Sequence, residues 1–376
     1  MNLRSVKRIA PLYKALSTAR TLMLGGYMQW AHARGGIDRN KVVFSSFKGA
    51  AFSDSPAAIA RALHSMRPET DIVFQLKRGA DAPEWVRRAA PGSLDWIREM
   101  STARVMVDNF NRPFYQKKFH DQKYVQTWHG DRGFKRVMYD MDADGGFPDY
   151  KYMDLAVAGS DFCEGMYRTA FRYEGEVLKT GLPRNDCLLR PLPIETAREK
   201  CGLEKGVRVL LYAPTFRDSA KGGEFRPDID LAAAVRALQD ITGDRWQVVT
   251  RAHDQNTAVS GSTRDMTDFP DMALLMQASD LLITDYSSCA GDFPMLGRPV
   301  ILFHGESRIE RGLYFDPEKS PFMIAHDQGE LLELFRRLDT APENCRRVLD
   351  FFGTNETGRS ARDVAERIIK WLDETA

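Results

Sequence analysis

No run of apolar residues in this chain approaches the roughly 20 that a membrane-spanning helix requires, so no segment reads as one. Cysteine is scarce. Cys163, Cys187, Cys201, Cys289 and Cys345 are odd in number and dispersed, with no Cys-x-x-Cys pair. That argues against a disulfide framework or a thiolate zinc site and fits a reducing cytoplasm. A dominant charge is missing as well. The 53 basic residues offset 52 acidic ones, leaving +1 and no global field to draw nucleic acid. There is no HExxH zinc helix, no GxSxG elbow of a hydrolase and no clustered His/Cys set, so no metal site is expected. The acidic loop bearing Asp140, Asp142, Asp144 and Asp149 lacks the closing Glu of a calcium loop and reads as solvated. Repeats and low-complexity tracts are absent. A cleavable leader is not expected, because the apolar patch at 21–26 is too short and poorly flanked.

What the chain does have is length and alternation. Its 376 residues, 43% of them hydrophobic, suffice for one large α/β domain or two of ordinary size. Apolar runs at 41–44, 71–76, 104–108, 123–128, 154–158 and 176–179 alternate with helical stretches such as 55–66 and 92–101. That alternation predicts a doubly wound parallel sheet. Residues 187–206, with Pro191 and Pro193, read as a linker. The pattern restarts at 207–212, 246–250, 281–284 and 300–303. The expected fold is therefore α/β, with two Rossmann-like domains facing a central cleft at 41–186 and 207–360. A C-terminal helical segment at 361–376 follows.

Residues 1–40 stand apart. Arg4, Lys7, Arg8, Lys14, Arg20 and Arg34 all precede the first acid, Asp38. Leu3, Val6, Ile9, Leu12, Leu16, Met23, Tyr27 and Trp30 recur mostly at three- and four-residue steps. The pattern predicts a basic amphipathic helix, broken at Pro11 and Gly25-Gly26, lying on an anionic membrane surface. The competing reading is a helix packed on its own domain.

Residues 280–303 carry the strongest local signal. An apolar run ends in Thr284-Asp285-Tyr286-Ser287-Ser288, a helix-length stretch follows, and a second apolar run comes after Arg298-Pro299. This is one βαβ unit with its hydroxyls at the strand's carboxyl end. Ligands bind at that edge in open α/β sheets, and a helix N-terminus there offers N–H groups to phosphate. Ser287 and Ser288 add donors, and Asp285 and Asp292 complete the set, although helix capping would also select these residue types. His129 directly follows the run at 123–128 and precedes Gly130, where it could take a proton from an attacking hydroxyl. Arg251 and His253 end another run. An Arg can grip phosphate oxygens with two bonds, and a protonated His can steady charge on a leaving nucleotide. Pro214 must stop the strand before it and expose Thr215 and Arg217. Arg184, after the hinge glycine Gly181, adds a further cation.

Several stretches occur together and in order. They are Phe44-Ser-Ser-Phe-Lys-Gly49 with Ser53-Asp-Ser-Pro56, Gln126-Thr-Trp-His-Gly130, Gly181-Leu-Pro-Arg-Asn-Asp186, Tyr212-Ala-Pro-Thr-Phe-Arg-Asp218, Arg251-Ala-His253, Thr284-Asp-Tyr-Ser-Ser288 and Gly312-Leu-Tyr-Phe-Asp316. Spanning roughly residues 42–320, they resemble the CDP-glycerol glycerophosphotransferase family of teichoic-acid primases and polymerases. The resemblance implies the two-domain GT-B architecture and catalytic roles for His129 as base and His253 at the donor pyrophosphate. Gly130, Arg184, Pro214, Thr215, Arg217, Arg251, Asp285, Ser287, Ser288 and Asp292 become donor contacts. Two departures stand out. Family members usually continue His-Gly-Thr-Pro, but here Asp131 and Arg132 follow Gly130, and Asp254 replaces a proline after His253.

The resemblance thus implies transfer of an alditol phosphate, foremost glycerol 3-phosphate, from CDP-glycerol or CDP-ribitol to a hydroxyl of a lipid-linked saccharide, with CMP released. No cofactor or metal enters this scheme. The enzyme would be cytoplasmic and peripheral on the inner face of the membrane, with no nucleic-acid partner and homo-oligomerisation left open. A nucleotide-sugar glycosyltransferase of the same fold, or an inactive nucleotide-binding scaffold docked on the membrane, are the competing readings.

Overall fold

The computed structural model describes residues 3–111, 118–141, 150, 152–214, 229–251, 263–304 and 312–374, with side chains from Leu16 onward. Two parallel sheets organise it. The first holds β1 (Asp38–Ser45), β2 (Asp71–Gln75), β3 (Arg87–Ala89), β4 (Ala103–Asp108), β5 (Lys123–Gln126), β6 (Leu155–Val157) and β7 (Val177–Leu178). The second holds β8 (Arg208–Ala213), β9 (Trp246–Thr250), β10 (Thr263–Asp265), β11 (Leu281–Thr284), β12 (Val300–Phe303) and β13 (Met323–Ala325). The orders are β3-β2-β1-β4-β5-β6-β7 and β10-β9-β8-β11-β12-β13. Each sheet therefore reverses its winding once, between β1 and β4 and between β8 and β11. Open α/β sheets bind ligands at such a reversal, outside the carboxyl ends of the strands.

The strands form where the chain offers continuous apolar runs, because a parallel sheet is covered on both faces. Val42, Val43 and Phe44 of β1 and Val105 and Val107 of β4 have no exposed surface. In the second sheet the pleat sorts side chains by parity. Leu211, Leu282 and Leu302 pack with Phe293 and Phe352 on one face, while Leu210, Tyr212, Ile283 and Ile301 pack with Leu238 and Phe335 on the other. β3, β10 and β13 are not legible in the sequence. Each has three residues and lies at a sheet edge. Polar sequences such as Thr-Arg-Asp suffice there, since one side of an edge strand has no neighbour to satisfy.

The chain packs as two compact units, Met1–His129 with Pro148–Ala156 and Ala361–Ala376, and Gly130–Phe147 with Val157–Ser360. Residues 157–186 thus pack in the second unit and residues 361–376 in the first, which differs from the linear division at 186 and 361. The N-terminal helix, Leu3–Gly35, runs unbroken through Pro11 and Gly25-Gly26, contrary to expectation. Its last third belongs to the first unit's core. Leu24, Met28 and Ala31 are buried, and His32 Nδ1 lies 3.1 Å from the Ser101 carbonyl oxygen of the helix Leu94–Thr102. Leu16, Leu22, Met23 and Trp30 are exposed. Among the described residues no helix is long and apolar enough to cross a membrane.

Candidate functional site

In the first unit the reversal between β1 and β4 gathers the loop after β1, the residue after β4 and the turn after β5. Asn109, wholly buried, ties them together. Its Oδ1 accepts from the Phe47 N–H at 2.9 Å, and its Nδ2 donates to Asp54 Oδ1 at 3.0 Å. Its carbonyl oxygen lies 2.8 Å from His129 Nδ1. The backbone is held in the left-handed region at Phe47 (φ 45°), Lys48 (57°), Asp54 (59°) and Trp128 (51°). Non-glycine residues adopt that region at a cost and keep it where the surroundings impose it, which is characteristic of functional loops. The Trp128 N–H is fixed by Gln126 Oε1 at 2.9 Å, so the turn that delivers His129 is clamped from both sides.

This geometry selects a tautomer. A carbonyl can only accept, so His129 donates through Nδ1, and the neutral ring carries its lone pair on Nε2. That nitrogen is chemically competent to take a proton from a hydroxyl. The ring is half-buried and bounded by Phe110, stacked at 5.0 Å, and Phe47, edge-on at 5.5 Å. The Lys48 ammonium sits 4.7 Å over the Phe110 ring.

In the second unit, the candidates cluster at the reversal between β8 and β11. Thr284 Oγ1 donates to the Ala213 carbonyl at 2.5 Å, fixing the end of β8 next to the buried Pro214. The Arg251 N–H donates to the Tyr212 carbonyl at 3.0 Å, bringing the end of β9 to the same edge. Asp285 is mostly buried and accepts from the Tyr286 N–H at 2.7 Å. Ser287 and Ser288 are half-buried beside it. The helix expected after them is short: one α turn, Cys289–Asp292, passes into a 3₁₀ turn at Phe293–Leu296 around Pro294. A single turn supplies little dipole, so anion affinity here would rest on hydroxyl and amide groups. Thr215, Arg217 and His253 lie outside the described residues, as does Asp254.

Asp292 and Arg184 bind each other within the second unit. Arg132, with no exposed surface, donates to Asp292 Oδ1 at 2.8 Å, Glu356 Oε1 at 2.9 Å and the Gly159 carbonyl at 2.7 Å. Arg184 donates to Asp292 Oδ2 at 2.9 Å, and Asn185 donates to Asp292 Oδ1 at 3.1 Å and Glu356 Oε1 at 2.9 Å. Both oxygens of Asp292 are therefore engaged inside the unit, and the residue is 2% exposed. Asp131, equally buried, accepts from the Gly159 N–H at 2.6 Å and the Ser160 hydroxyl at 2.5 Å. The Asp131-Arg132 departure thus feeds an internal ion network. Burial pushes the Glu356 carboxyl up to about 7, with Asp131 adding to the rise and Arg132 opposing it. Gly181, at φ 109°, lets Glu356 approach; a side chain there would collide with its carboxylate.

Sequence reasoning missed Asn109 and Glu356, which lie in no recognisable pattern. It registered Asp131 and Arg132 only as an anomaly. It also passed over His304, whose ring lies flat on Tyr286 at 4.3 Å.

The comparisons with known proteins agree with this frame. A teichoic acid poly(glycerol phosphate) polymerase of Bacillus subtilis (strain 168) is 28% identical over 89% of this chain, which spans only 49% of that protein's length. Its namesake from Bacillus spizizenii is 27% identical over 95% of this chain and 99% of its own. A teichoic acid glycerol-phosphate transferase of Staphylococcus aureus is 27% identical over 89% of this chain and 94% of its own. The solved structure of the wall teichoic acid polymerase TagF superimposes with a TM-score of 0.83 at 25% identity, covering 99% of this chain and 98% of that one. Residues 27–370 match the family model described as CDP-glycerol:poly(glycerophosphate) glycerophosphotransferase, and the chain belongs to that family.

Proposed function

We propose that the protein transfers glycerol phosphate from CDP-glycerol to a hydroxyl of a lipid-linked saccharide and releases CMP. The observation that carries the reading is His129, held by the Asn109 carbonyl in the tautomer that leaves its lone pair on Nε2. In the proposed step the acceptor hydroxyl oxygen attacks the β-phosphorus of the donor. Its proton passes to His129 Nε2, the new O–P bond forms, and the bridging P–O bond of the pyrophosphate breaks with its electron pair leaving on CMP. Arg251, Ser287 and Ser288 would steady the pyrophosphate oxygens by charge-assisted hydrogen bonds, and His253 would ease CMP departure. Asp292 and Arg184 would act through the fold rather than on the donor. The exposed Leu16, Met23 and Trp30, with Arg20 and Arg34 on the same helix, support docking on an anionic membrane where a lipid-linked acceptor resides.

The deciding experiment incubates the protein with CDP-glycerol, CDP-ribitol and UDP-sugars beside a lipid-disaccharide acceptor and measures nucleotide release. CMP from CDP-glycerol supports the reading. UDP from a sugar donor would replace it with glycosyl transfer, and no acceptor-dependent release from any donor would replace it with a non-catalytic role.

A further inference from the structure

His304 follows β12 directly, at the same carboxyl edge as the Thr284–Ser288 turn. It is 8% exposed. Its ring is nearly parallel to that of Tyr286, 7° between planes at 4.3 Å. Glu318 Oε1 stands 3.8 Å from Nδ1, and the same carboxylate oxygen is 2.9 Å from His326 Nε2. His326 is in turn 2.9 Å from Glu330 Oε2 through Nδ1. The opposite nitrogen of His304, Nε2, is buried and has no hydrogen-bond partner among the described residues. A buried polar atom without a partner is costly, and natural proteins seldom retain one without a use for it.

Chemistry narrows that use. The carboxylate on the Nδ1 side favours the tautomer with its hydrogen there, and burial lowers the basicity of the ring, so Nε2 carries a lone pair. Such an atom accepts a hydrogen bond. It cannot grip a phosphate oxygen, which also only accepts. We propose that His304 is a further donor-site residue that accepts a hydrogen bond from a hydroxyl of the nucleotide-linked substrate, with Tyr286 as its stacking support. The inference rests on the CDP-alditol reading of this site. It extends that site from phosphate contacts to recognition of a hydroxyl, carried by either the ribose or the alditol.

The test is calorimetric. His304→Phe keeps the flat ring against Tyr286 and removes the acceptor. Its melting temperature should equal or exceed that of the wild type, because the unpartnered nitrogen is gone. Its affinity for CDP-glycerol should fall about three- to tenfold, the usual worth of one hydrogen bond. An equal loss for CDP assigns the hydroxyl to the ribose, and a loss confined to CDP-glycerol assigns it to the alditol. Unchanged affinity for both would overturn the proposal. If the wild type binds UDP-sugars and no CDP compound, the donor reading fails. His304 then survives only if His304→Phe weakens the sugar nucleotide. His304→Asn, which keeps a side-chain acceptor, should recover part of the loss. A variant that melts much lower, with Asn no better than Phe, would mark His304 as structural and overturn the proposal too.

Discussion

In the proposed step His129 acts through Nε2, because the Asn109 carbonyl fixes the other nitrogen. His129→Ala should lower turnover by about 10²–10⁴-fold, the usual contribution of a positioned base, with CDP-glycerol affinity nearly intact. Single-turnover kinetics beside calorimetry check this, and turnover within threefold of wild type would remove His129 from the mechanism. Asn109 is the more instructive residue. Asn109→Ala removes the bonds to the Phe47 amide and to Asp54 Oδ1, which keeps its Ser55 N–H donor, at about 0.5–1.5 kcal/mol for each hydrogen bond lost. Urea unfolding should show that loss, and turnover should fall with it as the strained Phe47–Lys48 turn relaxes. His129 was visible in the sequence because it stands in Gln126-Thr-Trp-His-Gly130, one of the stretches that carry the family resemblance. Asn109 was not, since its role lies in bonds to elements that the chain brings together only on folding.

At the scale of elements, the core strands were legible and the edges were not. Continuous apolar runs mark β1, β4, β8 and β11, whereas nothing local marks β3 or β10. The turn after β11 was placed correctly, but its helix is a single turn, because Pro294 follows Phe293 too closely for the α ladder to continue. Ser287→Ala with Ser288→Ala should therefore reduce CDP-glycerol affinity at least tenfold, by removing hydroxyl donors, with the melting temperature within about two degrees of wild type. Unchanged calorimetric affinity would return the motif to turn formation alone. In the proposed reading the N-terminal helix divides in function along its length. Removing residues 1–20 should weaken sedimentation with anionic vesicles, by taking away most of the basic residues of the segment, and leave the fold intact, because among the described side chains of this helix the buried positions begin at Leu24. Met28→Ala, by contrast, should cost about 2–5 kcal/mol of stability and leave vesicle binding unchanged. If truncation leaves sedimentation unchanged, the membrane surface lies elsewhere.

Across the whole molecule, the buried ion network sets a pH signature. Arg132 and Arg184 face three carboxyls, Asp131, Asp292 and Glu356. An isolated Glu releases its proton near 4.5, and folded Glu356 releases it near about 7. Between those values the native state holds more protons than the unfolded chain, so stability declines as pH rises through the window and levels off above it. Each unit of upward shift corresponds to about 1.4 kcal/mol. Unfolding free energies at pH 5 and pH 8 should show this decline in the wild type and a flatter response in Glu356→Gln. Parallel profiles would mean that Glu356 does not titrate there. Arg132→Met should be far more damaging than either pH extreme, because it strands buried carboxylates at about 3–5 kcal/mol.

The sequence by itself determined the class of fold, the order of its main strands and the strand ends where chemistry gathers. Those properties follow from short-range facts: apolar runs long enough for buried parallel strands, and polar turns that end them. Tertiary structure alone decided which polar residues face outward. Arg184 and Asp292 have the residue types of ligand contacts, yet Asp292 is held inside the unit between Arg184 and Arg132, which arrives from 160 residues away. His304 looked like an ordinary residue after a strand, and folding buried its Nε2 beside Tyr286. Partner choice among buried charges depends on which side chains share a low-dielectric space, and that assignment exists only once the strands have been brought side by side.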